Sequence, residues 1–208
     1  MVTKNIGAYM AQRNSHPKYG RFRFDAGSLS LNFVATMRHR GSPPRELLTG
    51  PEAFAEWLQI VGLTPLPPAI AYRDYEDAIL LREAIHDTVR SLIMNKKPNA
   101  EDVDLINRTA RFSIAIPQLH AGAAMIKWET ANPVRAALAV IARDAITLIA
   151  DTDRGRLKKC DSRSCQMLFV DSSPGNRRRW CAMSICGNRQ KVAMHRQNKI
   201  SDHGSTMH

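Results

Sequence analysis

The first 159 of the 208 residues contain no cysteine. That excludes a disulfide scaffold spread along the chain. No run approaches the roughly 18 consecutive apolar residues that cross a bilayer. The opening stretch MVTKNIGAYMAQRNSHPKYG has no apolar core of the kind a secretory signal needs. The expected compartment is therefore a reducing cytoplasm, with no membrane partner. Acids are scarce: 19 Asp and Glu face 30 Lys and Arg, giving a formal net charge of +11 and a pI near 10.0. None occurs between Asp171 and Asp202. An imbalance of this size points to an anionic partner. There is no phosphate-cradling Gly-rich loop and no dinucleotide fingerprint. The seven histidines (His16, His39, His86, His120, His195, His203 and His208) are scattered, and none stands in a nucleophile motif with Ser or Cys. Enzymatic chemistry is not expected.

What the chain does contain is an ordinary globular mixture, 44% hydrophobic and 24% charged. Residues 1–20 read as a basic lead-in. "RFRF" (Arg21–Phe24) alternates like a short strand. In "SLSLNFVATM", Leu29, Phe33 and Met37 fall at helical spacing behind a possible Ser28 cap. "RHRGSPPREL" reads as a solvated loop, with phosphate contact by Arg38-His39-Arg40 as the alternative. Thr49-Gly-Pro-Glu52 has the capping-box pattern ahead of "EAFAEWLQIVGL", which Gly62 ends. A long helix is expected from about Asp74 to Asn95, with Asp74, Glu76, Asp77 and Glu83 on a solvated face and His86 at the interior. Asn99 and Asn132-Pro133 each open a further helix. "FSIAIPQL" and "AAMIKWE" suit a β-hairpin. Trp57 and Trp128 read as core. The fold class is α+β: a mostly helical first domain with a small sheet, over residues 21–152, then a second unit over 153–200 and a tail, 201–208.

All four cysteines lie in one window, Cys160, Cys165, Cys181 and Cys186, spaced C-x4-C-x15-C-x4-C. Two short-spaced pairs joined by a longer connection are what a tetrahedral tetrathiolate site requires. The expected cofactor is one structural Zn²⁺ per chain. Catalytic zinc does not fit, because four sulfurs leave no open position. Buried free thiols and a redox dithiol are the alternatives. Lys158, Lys159, Arg163, Arg177, Arg178 and Arg179 flank the cysteines and would favour thiolates. A unit of about 40 residues cannot usually hold itself together by burial alone, whereas a zinc site can. Losing the metal is expected to unfold this unit and to spare the first domain, which has its own apolar helices.

The stretch "CDSRSCQMLFVDSSPGNRRRWCAMSICGNRQKVAMHR" resembles the CGNR zinc-finger family, whose tetrapeptide stands here as Cys186-Gly187-Asn188-Arg189. Upstream, "LNFVATM", "PEAFAEWLQIVGL", "AILLREAI" and "VRAALAVIARDAITLI" resemble the ABATE domain that usually precedes this finger. Asn32 stands where that family often has Asp. The resemblance implies a treble-clef-like finger and a stress-linked bacterial transcription regulator.

A basic helix is expected from about Ser184 to Lys199. Counting 100° per residue from Cys186 leaves Gln190, Ala193 and Gln197 toward the metal. Asn188, Lys191, His195 and Lys199 then project away, with Arg189 and Arg196 on the flank. Lys and Arg neutralise phosphates, while Arg and Asn read base edges. The candidate nucleic-acid contacts are Arg177, Arg178, Arg179, Asn188, Arg189, Lys191, His195, Arg196 and Lys199. Duplex DNA is the expected partner, and RNA or a protein surface the alternative. A metal-dependent nuclease using Asp171 and His195 is the competing enzyme class. The first domain would bind a small effector or form a homodimer.

Overall fold

The computed structural model describes residues 21–119, 126–151 and 154–193. Its elements, in order, are α1 (Leu29–Val34), β1 (Met37–Arg38), β2 (Arg45–Glu46), α2 (Pro51–Ile60), α3 (Tyr72–Ile93), α4 (Ala100–Ala110), β3 (Ile116–Leu119), β4 (Ile126–Glu129), α5 (Pro133–Ala150), β5 (Leu157–Lys159) and β6 (Leu168–Val170). A π-helical turn, Met183–Gly187, follows. The strands form three separate antiparallel pairs, β1–β2, β3–β4 and β5–β6. The fold is therefore α+β and mostly helical, as the periodicity indicates.

Capping explains most helix starts. Ser28 Oγ accepts the Leu31 N–H, Asn99 Oδ1 the Glu101 N–H, and Asn132 Oδ1 the Arg135 N–H. Pro133 sits in the first turn, where its missing donor costs nothing. The Thr49–Glu52 capping box does not form. The helix begins at Pro51 with Gly50 as N-cap and no side-chain cap. The helix starts one residue late for the box, and its N-cap, Gly50, has no side-chain oxygen to offer the N3 N–H. Gly62, at φ +75°, and Asn95, at φ 53°, take the left-handed conformation that ends α2 and α3.

Helix α3 is the spine. It packs against α1, α4 and α5, and it also touches β5 and β6. Phe33, Phe54 and Trp57 cluster above it, with the Phe33 ring 5.1 Å from that of Trp57. Leu81, Ile85, Val89, Leu138 and Ile141 complete the layer. His86 is buried and hydrogen-bonds Asp87, the interior place expected of it. The core does not stop at residue 152. Leu157, Leu168, Phe169 and all four cysteines belong to the same buried cluster as Phe22, Leu31 and Leu81.

Four local expectations are corrected. Arg21–Phe24 forms no strand, because Phe22, Arg23 and Phe24 are all buried and alternation is lost. Met37 leaves the helical register for β1, which pairs across the presumed loop with β2. Glu83 does not face solvent freely: Arg40 grips it with two hydrogen bonds, 2.7 and 2.9 Å, and Arg82 adds a third of 2.8 Å. Trp128 is half-exposed on the β3–β4 hairpin rather than in the core. That hairpin does form, in the register Ile116↔Glu129.

Candidate metal centre

Each cysteine pair is placed by a tight turn. β5 runs directly into Cys160, whose N–H donates to the Met167 carbonyl at 2.9 Å. The chain reverses through Ser162–Gln166, where Gln166 takes a left-handed φ of 50°, and returns as β6. Cys165 N–H donates to the Ser162 carbonyl in that turn. The second pair is built by the π turn, in which the N–H groups of Cys186 and Gly187 both donate to the Ala182 carbonyl. Asp161 N–H donates to the Arg179 carbonyl at 3.0 Å and ties the two turns together.

The four Sγ atoms lie within 4.8 Å of one another. Two edges of the group, Cys165–Cys181 and Cys181–Cys186, are each 3.7 Å. A tetrahedron of sulfurs about 2.3 Å from a central zinc has edges of about 3.8 Å, so the cage matches that ion. It does not match disulfides, which need sulfurs about 2 Å apart. The thiols are 0–7% exposed, which leaves no open position for a substrate or water. Burial, followed by the neighbouring Cys181, Cys165 and Cys160 sulfurs, pushes the Cys186 thiol far up. Four such groups become thiolates together only around a cation.

The cations facing the sulfurs are not those the sequence nominates. Lys158 is tied to Asp171 at 2.8 Å and to the Asn176 carbonyl. Arg178 lies over the Phe169 ring at 4.8 Å and donates to the Cys181 carbonyl. Instead, Arg23 donates from Nη1 to Cys181 Sγ at 3.5 Å, with its guanidinium held by Asp25. Burial opposes the Arg23 charge, but the bonds and charges of Asp25 and Cys181 outweigh it and hold the guanidinium protonated. Arg38 is also close: burial and Arg23 weaken its hold on the proton, while Cys165 and Cys181 support it. Both arginines come from upstream of the finger. For Arg23 a signal stands in "RFRFD", where cations alternate with aromatic rings and an acid follows.

The upstream segment is fastened to the finger in three further ways. Val170 N–H donates to the Ala26 carbonyl at 2.8 Å. Gly27, at φ +93°, sits where a Cβ would come within 2.8 Å of Val170 Cβ. Gly41 lies so close to the first cysteine turn that any Cβ would run into the Arg163 carbonyl oxygen and the Gln166 side chain. Backbone cannot yield as a side-chain tip does, so Gly41→Ala should lower stability by about 1–3 kcal/mol. Urea unfolding of the zinc-loaded protein measures it, and an unchanged midpoint would refute the close approach.

Asp171 is fully buried and organises the loop after β6. Its carboxylate accepts from Lys158 Nζ, from Ser173 N–H and Oγ, and from Arg178 N–H. Burial alone would raise its pKa, but those donors hold it well below the usual carboxylate range. The charge is consumed internally, and the nuclease reading loses the acid it called on. Asp171→Asn should release zinc to a chelator faster than the parent. An unchanged release rate would mean that the loop does not support the cage.

The remaining candidate contacts divide. Arg177 is exposed. Arg179 is exposed too, paired with Asp161 at 2.8 Å and lying 5.2 Å from the Trp180 ring. Arg178 is turned inward as described. Asn188, Arg189 and Lys191 are exposed beyond buried Cys186 and Gly187. Gln190 and Ala193 are exposed as well, so the wheel's metal-facing row is not realised. The π turn shifts the phase, and the helical segment then leaves the body. His195, Arg196 and Lys199 lie outside the described residues.

The ABATE family model, described as a putative stress-induced transcription regulator, matches residues 27–152. The chain belongs to the ABATE family. The CGNR zinc-finger model matches residues 156–199, directly after it. With the cysteine cage, this match gives the finger one structural zinc on Cys160, Cys165, Cys181 and Cys186. No curated protein matches the chain. No helix of the described residues is long and apolar enough to cross a membrane. Asn32 is buried in α1 and accepts the Ala26 N–H at 3.1 Å. An amide makes that bond without burying a charge.

Proposed function

We propose that this ABATE protein is a bacterial transcription regulator that binds duplex DNA through its CGNR finger, working in the cytoplasm at the nucleoid. The observation that carries the reading is the change at Gly187. Cys186 and Gly187 are buried against the metal cage, and every described residue after them is exposed, with Asn188, Arg189 and Lys191 among them. A rigid tetrathiolate anchor thus presents a basic helical arm to solvent. The order of hairpin turn, long connection and helix-borne second pair supports a treble-clef-like arrangement. Lys191 and Arg177 would neutralise phosphates, and Asn188 or Arg189 would reach base edges. His195, Arg196 and Lys199 would extend the same arm.

In this reading zinc holds the arm in place and performs no chemistry. The buried state of Asp171 and the closed sulfur cage both favour binding over nuclease activity. The first domain would supply the signal input, by a small effector or by self-association. Thermal-shift screening against a metabolite panel and a sizing measurement test those two routes.

The deciding test is salt-dependent binding to duplex DNA by the zinc-loaded protein. A regulator making 6–10 phosphate contacts should lose about 10³–10⁵ in affinity between 50 and 200 mM salt. Lys191→Ala should weaken binding to all sequences alike and lower the salt slope by about 1. Asn188→Ala or Arg189→Ala should instead relax sequence preference, at about 1–3 kcal/mol for a lost base contact. Absence of salt-dependent binding would defeat the reading.

A further inference from the structure

The hairpin β1–β2 belongs to the first domain, yet it lies against the finger. Gly41, in its loop, meets the Arg163 carbonyl and the Gln166 side chain. His39 takes a left-handed φ of 57°, and burial and the neighbouring charges of Arg38, Arg189 and Arg45 lower its pKa. The hairpin therefore brings its own basic residues beside the first turn of the finger's arm.

The charge at this place is not balanced internally. Arg38 and Arg45 stand directly opposite each other in the β1–β2 register, and like charges so placed repel. The acids that would neutralise them are engaged elsewhere. Glu46 takes both Nη atoms of Arg82 at 2.7 and 2.6 Å. Glu83 is held between Arg40 and Arg82, and Asp25 holds Arg23. Arg38 itself is half-buried toward the thiolates. What projects is Arg45 from β2 and Arg163 from the first cysteine turn. Both are exposed, and neither has an ion-pair partner among the described residues. An exposed repulsive cluster of this kind is relieved by an anion spanning it.

We infer that the nucleic-acid face is composite: Arg45 of the first domain and Arg163 of the first cysteine turn contact DNA phosphates beside the arm that carries Asn188, Arg189 and Lys191. The inference rests on the DNA-binding reading and deepens it. It assigns part of the DNA contact to the ABATE domain itself. The fixed approach at Gly41 makes the hairpin and the finger one binding surface rather than two units on a tether. A signal that moves the hairpin would then alter DNA affinity without touching the zinc.

The test uses the full zinc-loaded chain and a short random-sequence duplex, over a series of salt concentrations. The variants are Arg45→Gln, Arg163→Gln, their double, and Lys97→Gln as a control. Lys97 carries the same charge change beyond the C-terminal end of α3, where Ile93 lies about 16 Å along the axis from Arg82. Zinc content and thermal midpoint of each variant must equal the parent's. The double variant should lose nearly 2 from the salt slope, since each phosphate contact contributes about 0.9. Its affinity should fall by about tenfold or more at low salt and converge on the parent as salt rises. Lys97→Gln should match the parent. If Lys191→Ala flattens the slope but the double variant keeps the parent slope, the composite face is wrong and the DNA reading stands. If the parent itself shows no salt-dependent binding, both fail. Equal losses in the double variant and in Lys97→Gln would reduce the effect to net charge and also overturn the composite face.

Discussion

Cys181→Ser should lower the thermal midpoint of the whole chain, and the damage should reach residues upstream of the finger. Cys181 is fully buried at the centre of the cage, with two sulfur neighbours at 3.7 Å and the Arg23 guanidinium at 3.5 Å. Structural zinc contributes about 10–16 kcal/mol to finger peptides near neutral pH. Loss of even a quarter of that would lower the midpoint by about 10 °C, at roughly 2–4 °C per kcal/mol for a chain of this size. The sequence suggests that the first domain would be spared, since it has its own apolar helices. The shared core argues otherwise. Once the thiolates are gone, buried Arg23 and half-buried Arg38 have less negative charge to face, and an uncompensated buried charge is costly. Hydrogen exchange should therefore rise in residues 22–27 and 37–46 as well as in 157–193, while α4 and α5 keep their protection. Metal analysis of the variant should show zinc lost. Faster exchange confined to 157–193 would mean that the finger folds independently after all.

How much of this was legible beforehand differs by feature, for physical reasons. The cysteine cage could be read because metal ligation imposes residue type and spacing at once, and few other needs produce C-x4-C-x15-C-x4-C. The helices behind Ser28, Asn99 and Asn132 could be read because capping is local chemistry. The hairpin β3–β4 was visible for a similar reason, as β-branched and alternating runs either side of a Gly. What could not be read depends on contacts between residues far apart. Arg23 reaches Cys181 across 158 positions, and Glu83 reaches Arg40 across 43. Nothing local marks Glu83 as different from Glu76 or Asp77, which carry the same charge on the same helix. The β1–β2 pair escaped notice because two residues per strand give no period to detect. Gly41 reads as an ordinary loop residue because the backbone that crowds it belongs to the finger, over 120 positions away. The long-range contacts are also those that join the two matched families into one body, so a reading by segments was bound to separate them.

Arg82 is the residue whose loss should cost the first domain most. Its side chain is 1% exposed, yet it carries a full charge in the middle of α3. Four hydrogen bonds account for it: two to Glu46, one to Glu83 and one, at 3.2 Å, to Thr36 Oγ1. Burial opposes the charge, and the Glu46 and Glu83 carboxylates more than offset it, so the guanidinium stays protonated. Arg82→Ala would leave a cavity and strand Glu46 at the base of the β1–β2 hairpin. Breaking one side of a buried pair costs about 3–5 kcal/mol, which corresponds to a midpoint lower by about 6–20 °C. Arg82→Lys should recover little, because a single ammonium cannot reproduce the two-pronged contact with Glu46. Arg82→Met, which fills the volume without charge, should recover part of the packing but leave Glu46 unpaired. Glu83 should suffer less than Glu46, since Arg40 still grips it with two bonds. The effect should also reach DNA. Glu46 follows Arg45 in β2, so a loosened Glu46 frees the hairpin that carries the proposed phosphate contact. Arg82→Met should therefore show a reduced salt slope as well as a lower midpoint, with zinc still bound. A lower midpoint with the parent's salt slope would separate the hairpin from the DNA face, and an unchanged midpoint would mean that the buried ion pair contributes nothing net to the fold.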